Sequence, residues 1–571
     1  DLIIEIQKLS SSGIEFEENG KEVWYGQDGN SFLSGTLQIS DNEALIAFED
    51  QQFHSNLFPG CYTYGLIFDE YSDADSHEDA TPLSLNPYQG PHDESYYLRA
   101  KLARSGERIM VNFTEYFDGY KQHIQILDED LNIFGDNNGT AVDEVGTDQP
   151  YSDICELNND FYIAYTSLEQ GYGINLQKYD SNGQELWSNP INVVDGSAGF
   201  GEPGFGDSSV RGIIADEINN QVIIIYDTAS FISTELGVAF VSADGNVTSS
   251  STWCSDCENP QYESHAQGAE EIIITFKSST NMGTGVFAQI FKYDGEILGE
   301  DNGFLVSDEV NDQRNSDITY NGVLDEYLAC WDDNRDISIA GYQCGDAEVI
   351  YNSLSDCEND CANSCNAVEV ADNDLVCSRL NYTEDLNVSD VISIASIPIT
   401  AQEDATLFTS ASGTYMIAWK DMRNAINIDQ SLNLSFEWDA YYQELSPWGV
   451  VYQDGGVPIS VDPFQQVNFS FSPLSVEDNL YIIAWEDDRS TGKALLTNIY
   501  AQLISPSESS CLVMDANNDG GIDVLDVVLV VNIILGNVTP DSWQNCATDI
   551  NGDGGTDVLD VIAIVNYILD A

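Results

Sequence analysis

Tyr481-Ile482-Ile483-Ala484-Trp485-Glu486-Asp487-Asp488-Arg489 is a short apolar run that ends on an aromatic and passes into acidic chain. It is one of eight such runs. The others are Ala44-Leu-Ile-Ala-Phe48, Arg108-Ile-Met-Val-Asn-Phe113, Phe161-Tyr-Ile-Ala-Tyr165, Val222-Ile-Ile-Ile-Tyr226, Ile272-Ile-Ile-Thr-Phe276, Tyr327-Leu-Ala-Cys-Trp331 and Tyr415-Met-Ile-Ala-Trp419. Successive copies begin 50 to 88 residues apart. Each is rich in β-branched and aromatic residues and short enough for a buried strand.

A second strand follows the runs, as in Ile174-Asn-Leu-Gln-Lys-Tyr179, Val286-Phe-Ala-Gln-Ile-Phe291, Tyr441-Tyr-Gln443 and Ile499-Tyr-Ala-Gln-Leu503. Turn signals come next, such as Asp180-Ser-Asn-Gly183 and Asp294-Gly295. The unit is thus a small antiparallel sheet repeated about eight times over residues 1–504. Radial repetition of such sheets gives a β-propeller, here of seven or eight blades. Spacing alone does not prove closure, so a β-solenoid or tandem sandwiches stay open. Helix signals are nearly absent before residue 511, and the fold class is mainly β with a small all-α end.

The three best copies extend to Trp331-x-Asp333-x-Arg335, Trp419-x-Asp421-x-Arg423 and Trp485-x-Asp487-x-Arg489. They resemble the W-x-D-x-R repeats of large secreted bacterial propellers. That resemblance implies a fold, not an activity. Ile4-Glu-Ile-Gln7 and the turn to Gly13 match a second strand with no first strand before it. This gives nine second strands to eight first strands. The fragment reads as an extra outer strand on the closing blade or as a strand donated to a neighbouring molecule. Residues 344–377 break the rhythm with five cysteines and few apolar residues. They read as an insertion between the sixth and seventh units, held by disulfides because it lacks a core.

The chain has 571 residues, with 97 Asp and Glu against 18 Lys and Arg, for a net charge of −79. Disordered acidic tails are poor in aromatics, whereas 29 Tyr, 23 Phe and 9 Trp run through this chain. A folded protein with an acidic skin follows. Such a skin is unsuited to nucleic acid, which needs clustered cations, and to anionic membrane surfaces. No stretch approaches 18 apolar residues, so no membrane-spanning helix is expected. Asp1 leads directly into the strand-like Leu2-Ile3-Ile4, as in a mature, processed product.

Twelve cysteines, an even count, favour disulfides and an extracellular setting. Cys254-x-x-Cys257 has the spacing of half a zinc site, but no second CxxC or His pair accompanies it. With Cys330, the cysteines Cys344, Cys357, Cys361, Cys365 and Cys377 allow three bridges of undetermined connectivity. Cys511 and Cys546 are expected to pair with each other.

After the polar linker 505–510, two matching loops occupy residues 511–571. The first places Asp515, Asn517, Asp519, Gly521, Asp523 and Asp526 at positions 1, 3, 5, 7, 9 and 12 of a calcium loop. The second places Asp549, Asn551, Asp553, Gly555, Asp557 and Asp560 at the same positions. Side-chain oxygens at five of these, a backbone carbonyl at position 7 and Gly520 or Gly554 at position 6 meet the requirements for calcium. Two calcium ions are therefore expected. Each loop runs into one apolar helix, Val527 to Leu535 and Val561 to Leu569, with no helix before it. Loop–helix, twice, with Asp at position 12, looks like a type I dockerin. That resemblance implies folding on calcium and docking to cohesin domains outside the cell. Cellulosomal dockerins often carry hydroxyl residues at positions 10 and 11. Val524-Leu525 and Val558-Leu559 stand here instead, which gives both halves the same apolar contact.

Catalytic pairs cannot be picked out of so many carboxylates. A sialidase-like propeller needs an arginine cluster. Arg335, Arg423 and Arg489 sit at equivalent places on different units, so they read as partners of Asp333, Asp421 and Asp487. G-x-S-x-G, H-E-x-x-H and P-loop patterns are missing. The five His, including His123 and His265, do not cluster, and Asp69 to Asp79 reads as a solvated acidic loop. The expectation is a secreted, non-enzymatic, structural or adhesive subunit. Its partner is a cohesin-like domain or further copies of itself, in a filament. The alternative is a carbohydrate-active or polysaccharide-binding propeller delivered by its dockerin.

Overall fold

The computed structural model describes residues 21–506 and 514–570 apart from loop segments. The longest of these segments are 53–59, 70–79, 84–98, 196–207, 352–364, 425–437 and 489–497; parts of the two C-terminal loops (515, 518–521, 523, 549 and 551–554) are also left out. The N-terminal strand-like fragment Ile4 to Gly13 and most of the acidic loop 69–79 therefore lie outside the described residues.

Eight antiparallel sheets form eight blades. In each, the apolar run singled out above is the second strand, not the first. These strands are Glu43–Gln52, Arg108–Tyr116, Asp160–Ser167, Gln221–Ala229, Glu271–Thr280, Glu326–Cys344, Tyr415–Asp421 and Leu480–Asp487. They are continuously apolar because both faces are buried. Leu480, Ile482 and Ala484 enter the core shared with the first blade, while Tyr481, Ile483 and Trp485 enter the core shared with the seventh. Eight such cores, one between each pair of neighbouring blades, complete the circle.

The last blade takes its outer strand from the other end of the chain. Lys21–Trp24 pairs antiparallel with Asn498–Ile504, which pairs with Leu480–Asp487. The ring is thereby eight-bladed, and residues 21–24 are a regular fourth strand of the closing blade.

The W-x-D repeat is a buried hydrogen-bonding unit. The indole Nε1 of Trp331, Trp419 and Trp485 donates to Oδ2 of Asp333, Asp421 and Asp487 at 3.2, 2.9 and 3.1 Å. All six side chains are fully buried. A glutamine opening the first strand meets the aspartate: Gln313 Nε2 donates to Asp333 Oδ2 at 3.0 Å, and Gln402 and Gln466 lie opposite Asp421 and Asp487 in register. Arg423 Nη2 donates to Asp421 Oδ2 at 2.6 Å and stacks on Tyr441, so this arginine is a structural partner as expected. Nothing is described of the Arg335 and Arg489 side chains.

The Cys-rich stretch is placed differently from the expectation. It does not lie between the sixth and seventh units. Cys365–Tyr382 is the third strand of the sixth blade, paired with Glu326–Cys344 along a hairpin longer than any other in the ring. Cys330 and Cys377 are bonded across its base, and Cys254 is bonded to Cys257, which leaves no half zinc site. The disulfides expected from the cysteine count are present, while Cys155 is a free thiol whose pKa is pushed up by burial and then by Asp153 and Glu156. Cys511 and Cys546 lie outside the described residues.

Candidate functional site

Two features of the chain are candidates for function: the carboxylates between neighbouring blades of the ring and the C-terminal helix pair.

At the ring, six of the eight first strands carry β-bulges, and a bulge frees backbone N–H groups that need acceptors. The carboxylates supply them from the neighbouring blade. Asp332 Oδ1 accepts from Asp404 N at 3.0 Å, Asp317 Oδ2 from Leu407 N at 2.8 Å and Asp153 Oδ2 from Ile213 N at 3.1 Å. Glu263 accepts from Asn315 N and Ser316 N at 2.9 and 2.7 Å. Asn315, Asp404 and Asn468 occupy the left-handed region at the bulges, which Asn and Asp tolerate. These acids staple blade to blade. His265 accepts or donates at Nδ1 with Tyr262 Oη at 2.7 Å, and burial lowers its pKa. His123 stacks on Phe113.

The closing seam holds a buried pair of acids around one arginine. Glu486 accepts from Leu33 N at 2.8 Å, Arg99 Nη2 at 3.1 Å and Asn468 Nδ2 at 2.8 Å. Glu49, beside them, is pushed up to about 8, first by burial, against the pull of Arg99 and with the repulsion of Glu486. With three donors on Glu486, the proton resides on Glu49. A raised folded-state value favours folding fully below the unfolded value, and that contribution is lost as pH rises through about 8. Stability should therefore fall as pH rises from about 4.5, the ordinary carboxylate value, to about 8, by up to about 1.4 kcal/mol per unit for one proton. Denaturant midpoints across that range should show a flatter profile in the Glu49→Gln chain; an unchanged slope would place the proton elsewhere.

In the C-terminal segment, helix α1 spans Val524–Ile534 and helix α2 spans Val558–Asp570. Asp557 starts α2 through a capping box: its Oδ1 accepts from Leu559 N at 2.7 Å, and Asp560 Oδ2 accepts from Asp557 N at 2.7 Å. Gly536, at φ 69°, ends α1. The bonds Gly536 N to Ile533 O and Asn537 N to Asn532 O, both 2.9 Å, form a Schellman motif. The helices share a small core of Ala516, Val530 and Ile564.

Of the expected metal residues, Asn517, Asp526, Gly555, Asp557 and Asp560 are described; Asp515, Asp519, Gly521, Asp523, Asp549, Asn551 and Asp553 lie outside the described residues. Asp526 and Asp560, both at position 12, are wholly buried. Each turns an oxygen back into its loop: Asp526 Oδ1 accepts from Asn517 N at 3.1 Å, and Asp560 Oδ1 from Ile550 N at 2.8 Å. Two buried carboxylates in an all-oxygen donor set fit a hard divalent cation.

The 34-residue repeat governs the surface as well. Val524 and Val558 are 63% and 61% exposed, and Leu525 and Leu559 are 57% and 59%. Val528 with Ile562 and Val531 with Val565 extend the same pattern down each helix. Sequence reasoning found the Val-Leu pairs but not these lower residues, although their shared spacing could have shown them.

Residues 513–569 match the dockerin type I domain family. Type I dockerins bind calcium and dock cohesin domains in extracellular assemblies. No curated protein sequence matches the chain. Among solved structures, the propeller domain of the trilobed protease from Pyrococcus furiosus is 10% identical. The match covers 71% of this chain and 95% of that one, with a TM-score of 0.35. The quinohemoprotein alcohol dehydrogenase from Comamonas testosteroni is 9% identical over 83% of this chain and 76% of that one, with a TM-score of 0.35. A thermostable family-43 glycoside hydrolase is 12% identical over 51% and 92%, with a TM-score of 0.26. No activity is carried over from such distant likenesses. Among the described residues, no helix is long and apolar enough to cross a membrane.

Proposed function

We propose that this chain is a secreted, calcium-dependent structural or adhesive subunit, in which a rigid propeller (residues 1–504) is joined by the linker 505–510 to a dockerin module (residues 511–571). The module docks on a cohesin-like domain. The observation that carries this reading is the duplicated apolar surface, Val524-Leu525-Val528 and Val558-Leu559-Ile562, beside two buried loop carboxylates. Exposed valine and leucine on a small acidic domain lose stability to water unless a partner covers them. A cohesin-like partner with an apolar face answers that need, and its rim would carry the cations that residues 511–571 lack.

One calcium ion would be held by Asp515, Asn517, Asp519, the carbonyl of Gly521, Asp523 and Asp526. A second would be held by Asp549, Asn551, Asp553, the carbonyl of Gly555, Asp557 and Asp560. When bound, calcium neutralises these acids and ties each loop to its helix. The ring carboxylates that staple blades are already engaged, which favours a scaffold over a catalyst.

Sedimentation of the full chain in millimolar calcium, with and without a cohesin-bearing protein, tests the reading. A one-to-one complex is expected. Replacing Val524-Leu525 and Val558-Leu559 together by aspartate should weaken it by at least a hundredfold, because several buried apolar side chains are lost from one small interface. Self-association without cohesin would point to a filament of this chain. Release of sugars in a polysaccharide screen would favour the carbohydrate-active alternative.

A further inference from the structure

The sixth blade carries a hairpin that runs well past the ring. Its strands, Glu326–Cys344 and Cys365–Tyr382, stay in register from Tyr327 opposite Leu380 to Cys344 opposite Cys365. The neighbouring strands of the blade stop much earlier. Arg314–Asn321 pairs only as far as Asp332, and Ile392–Ala395 only as far as Leu375. Beyond that point the ribbon has, among the described residues, only the short strand Ile350–Tyr351 beside it. A two-stranded ribbon is marginal in water without a further support.

From this register we infer that Cys344 and Cys365 form a disulfide that closes the far end of the hairpin, as Cys330–Cys377 closes the near end. Both pairs lie directly opposite in register. On the unbulged strand, Cys365 and Cys377 are 12 residues apart, an even number. On the other strand the separation is 14 residues, and the two register shifts, at Asp333/Asp336 and Ile339/Gly341, account for the difference. The second pair therefore recurs in the same phase of the strand alternation as the first. Directly opposed cysteines are within bonding reach. The bonds Cys330–Cys377 and Cys254–Cys257 place the chain in an oxidising setting. In forming the bond, the two thiols give up two protons and two electrons to a disulfide-bearing oxidant, which leaves as a dithiol. The new S–S bond replaces two S–H bonds.

The test is peptide mapping of the full chain, with free thiols alkylated before any reduction. Trypsin and a glutamyl endopeptidase cut at Arg335, Glu348, Glu358 and Glu369, which separates Cys344, Cys357 and Cys377 from the peptide holding Cys361 and Cys365. Fragmentation between Cys361 and Cys365 assigns the bond. A cross-link from Cys344 to Cys365 is expected. Alkylation of either, or a bond from either to Cys357, Cys361 or another cysteine, overturns the proposal. A Cys365→Ser chain provides the second readout. Cys344 should then become fully alkylatable while the thermal transition of the ring stays unchanged; a Cys344 that remains blocked overturns the pairing.

Discussion

Chelation of calcium from the intact chain is expected to unfold residues 511–571 and leave the ring folded. The module is too small to stand on its apolar core, in which, among the described residues, the fully buried apolar side chains are Ala516, Val530, Ala547 and Ile564. Asp526 and Asp560 are buried at the start of their helices, and each loop adds further acids by sequence. Without a cation these charges repel one another in a low-dielectric setting. With it, binding free energy becomes folding free energy, about 4 kcal/mol when calcium exceeds its dissociation constant a thousandfold. Limited proteolysis of the full chain should show cuts within 524–534 and 558–570 in chelator and protection in calcium. Helical circular dichroism should fall in parallel, and cohesin binding should vanish. Equal protection with and without calcium would refute the loop assignment.

The second large effect is expected at Trp419→Ala. The indole is fully buried in the core between the sixth and seventh blades. Its Nε1 donates to Asp421 Oδ2, which also receives Arg423 Nη2. Truncation removes a large side chain from a packed site, at about 3–5 kcal/mol. It also takes one donor from a buried carboxylate, at a further ~1–2 kcal/mol. Trp419→Phe fills most of the volume and loses only the donor, so it should cost about a third as much. Denaturant titration of both variants checks this. If alanine and phenylalanine are equally damaging, the hydrogen bond rather than the packing dominates; if both are harmless, the repeat is not the framework described here.

The second strands were legible because they are buried on two sides. A strand such as Tyr481-Ile-Ile-Ala-Trp485 must be apolar throughout, which makes it visible without any partner. First strands hid for the opposite reason. Arg314–Asn321 reads Arg-Asn-Ser-Asp-Ile-Thr-Tyr-Asn, with a bulge that breaks alternation and acids that serve the next blade. Outer strands such as Thr81–Pro82 are only two residues long and carry no pattern. The count of blades depends on pairing between residues 21–24 and 498–504, which no local feature announces. The cysteine hairpin was mistaken for an insertion because its strands are long and polar in places. The proposed calcium loops, in contrast, stand out in the sequence because that chemistry requires particular oxygens at particular intervals. The seam of Glu49, Glu486 and Arg99 comes from three blades and could not be read from any one of them.

The closing strand also sets an order of events. Lys21 and Ala501 are register partners about 480 residues apart in the chain. Joining ends so distant costs roughly 5 kcal/mol of chain entropy, recovered only when the last blade packs on both neighbours. The cores between the seventh and eighth blades and between the eighth and first cannot form before residues 466–504 have been synthesised. The dockerin follows immediately after them. A chain whose synthesis stops within any blade therefore lacks both the closing cores and the segment 513–569.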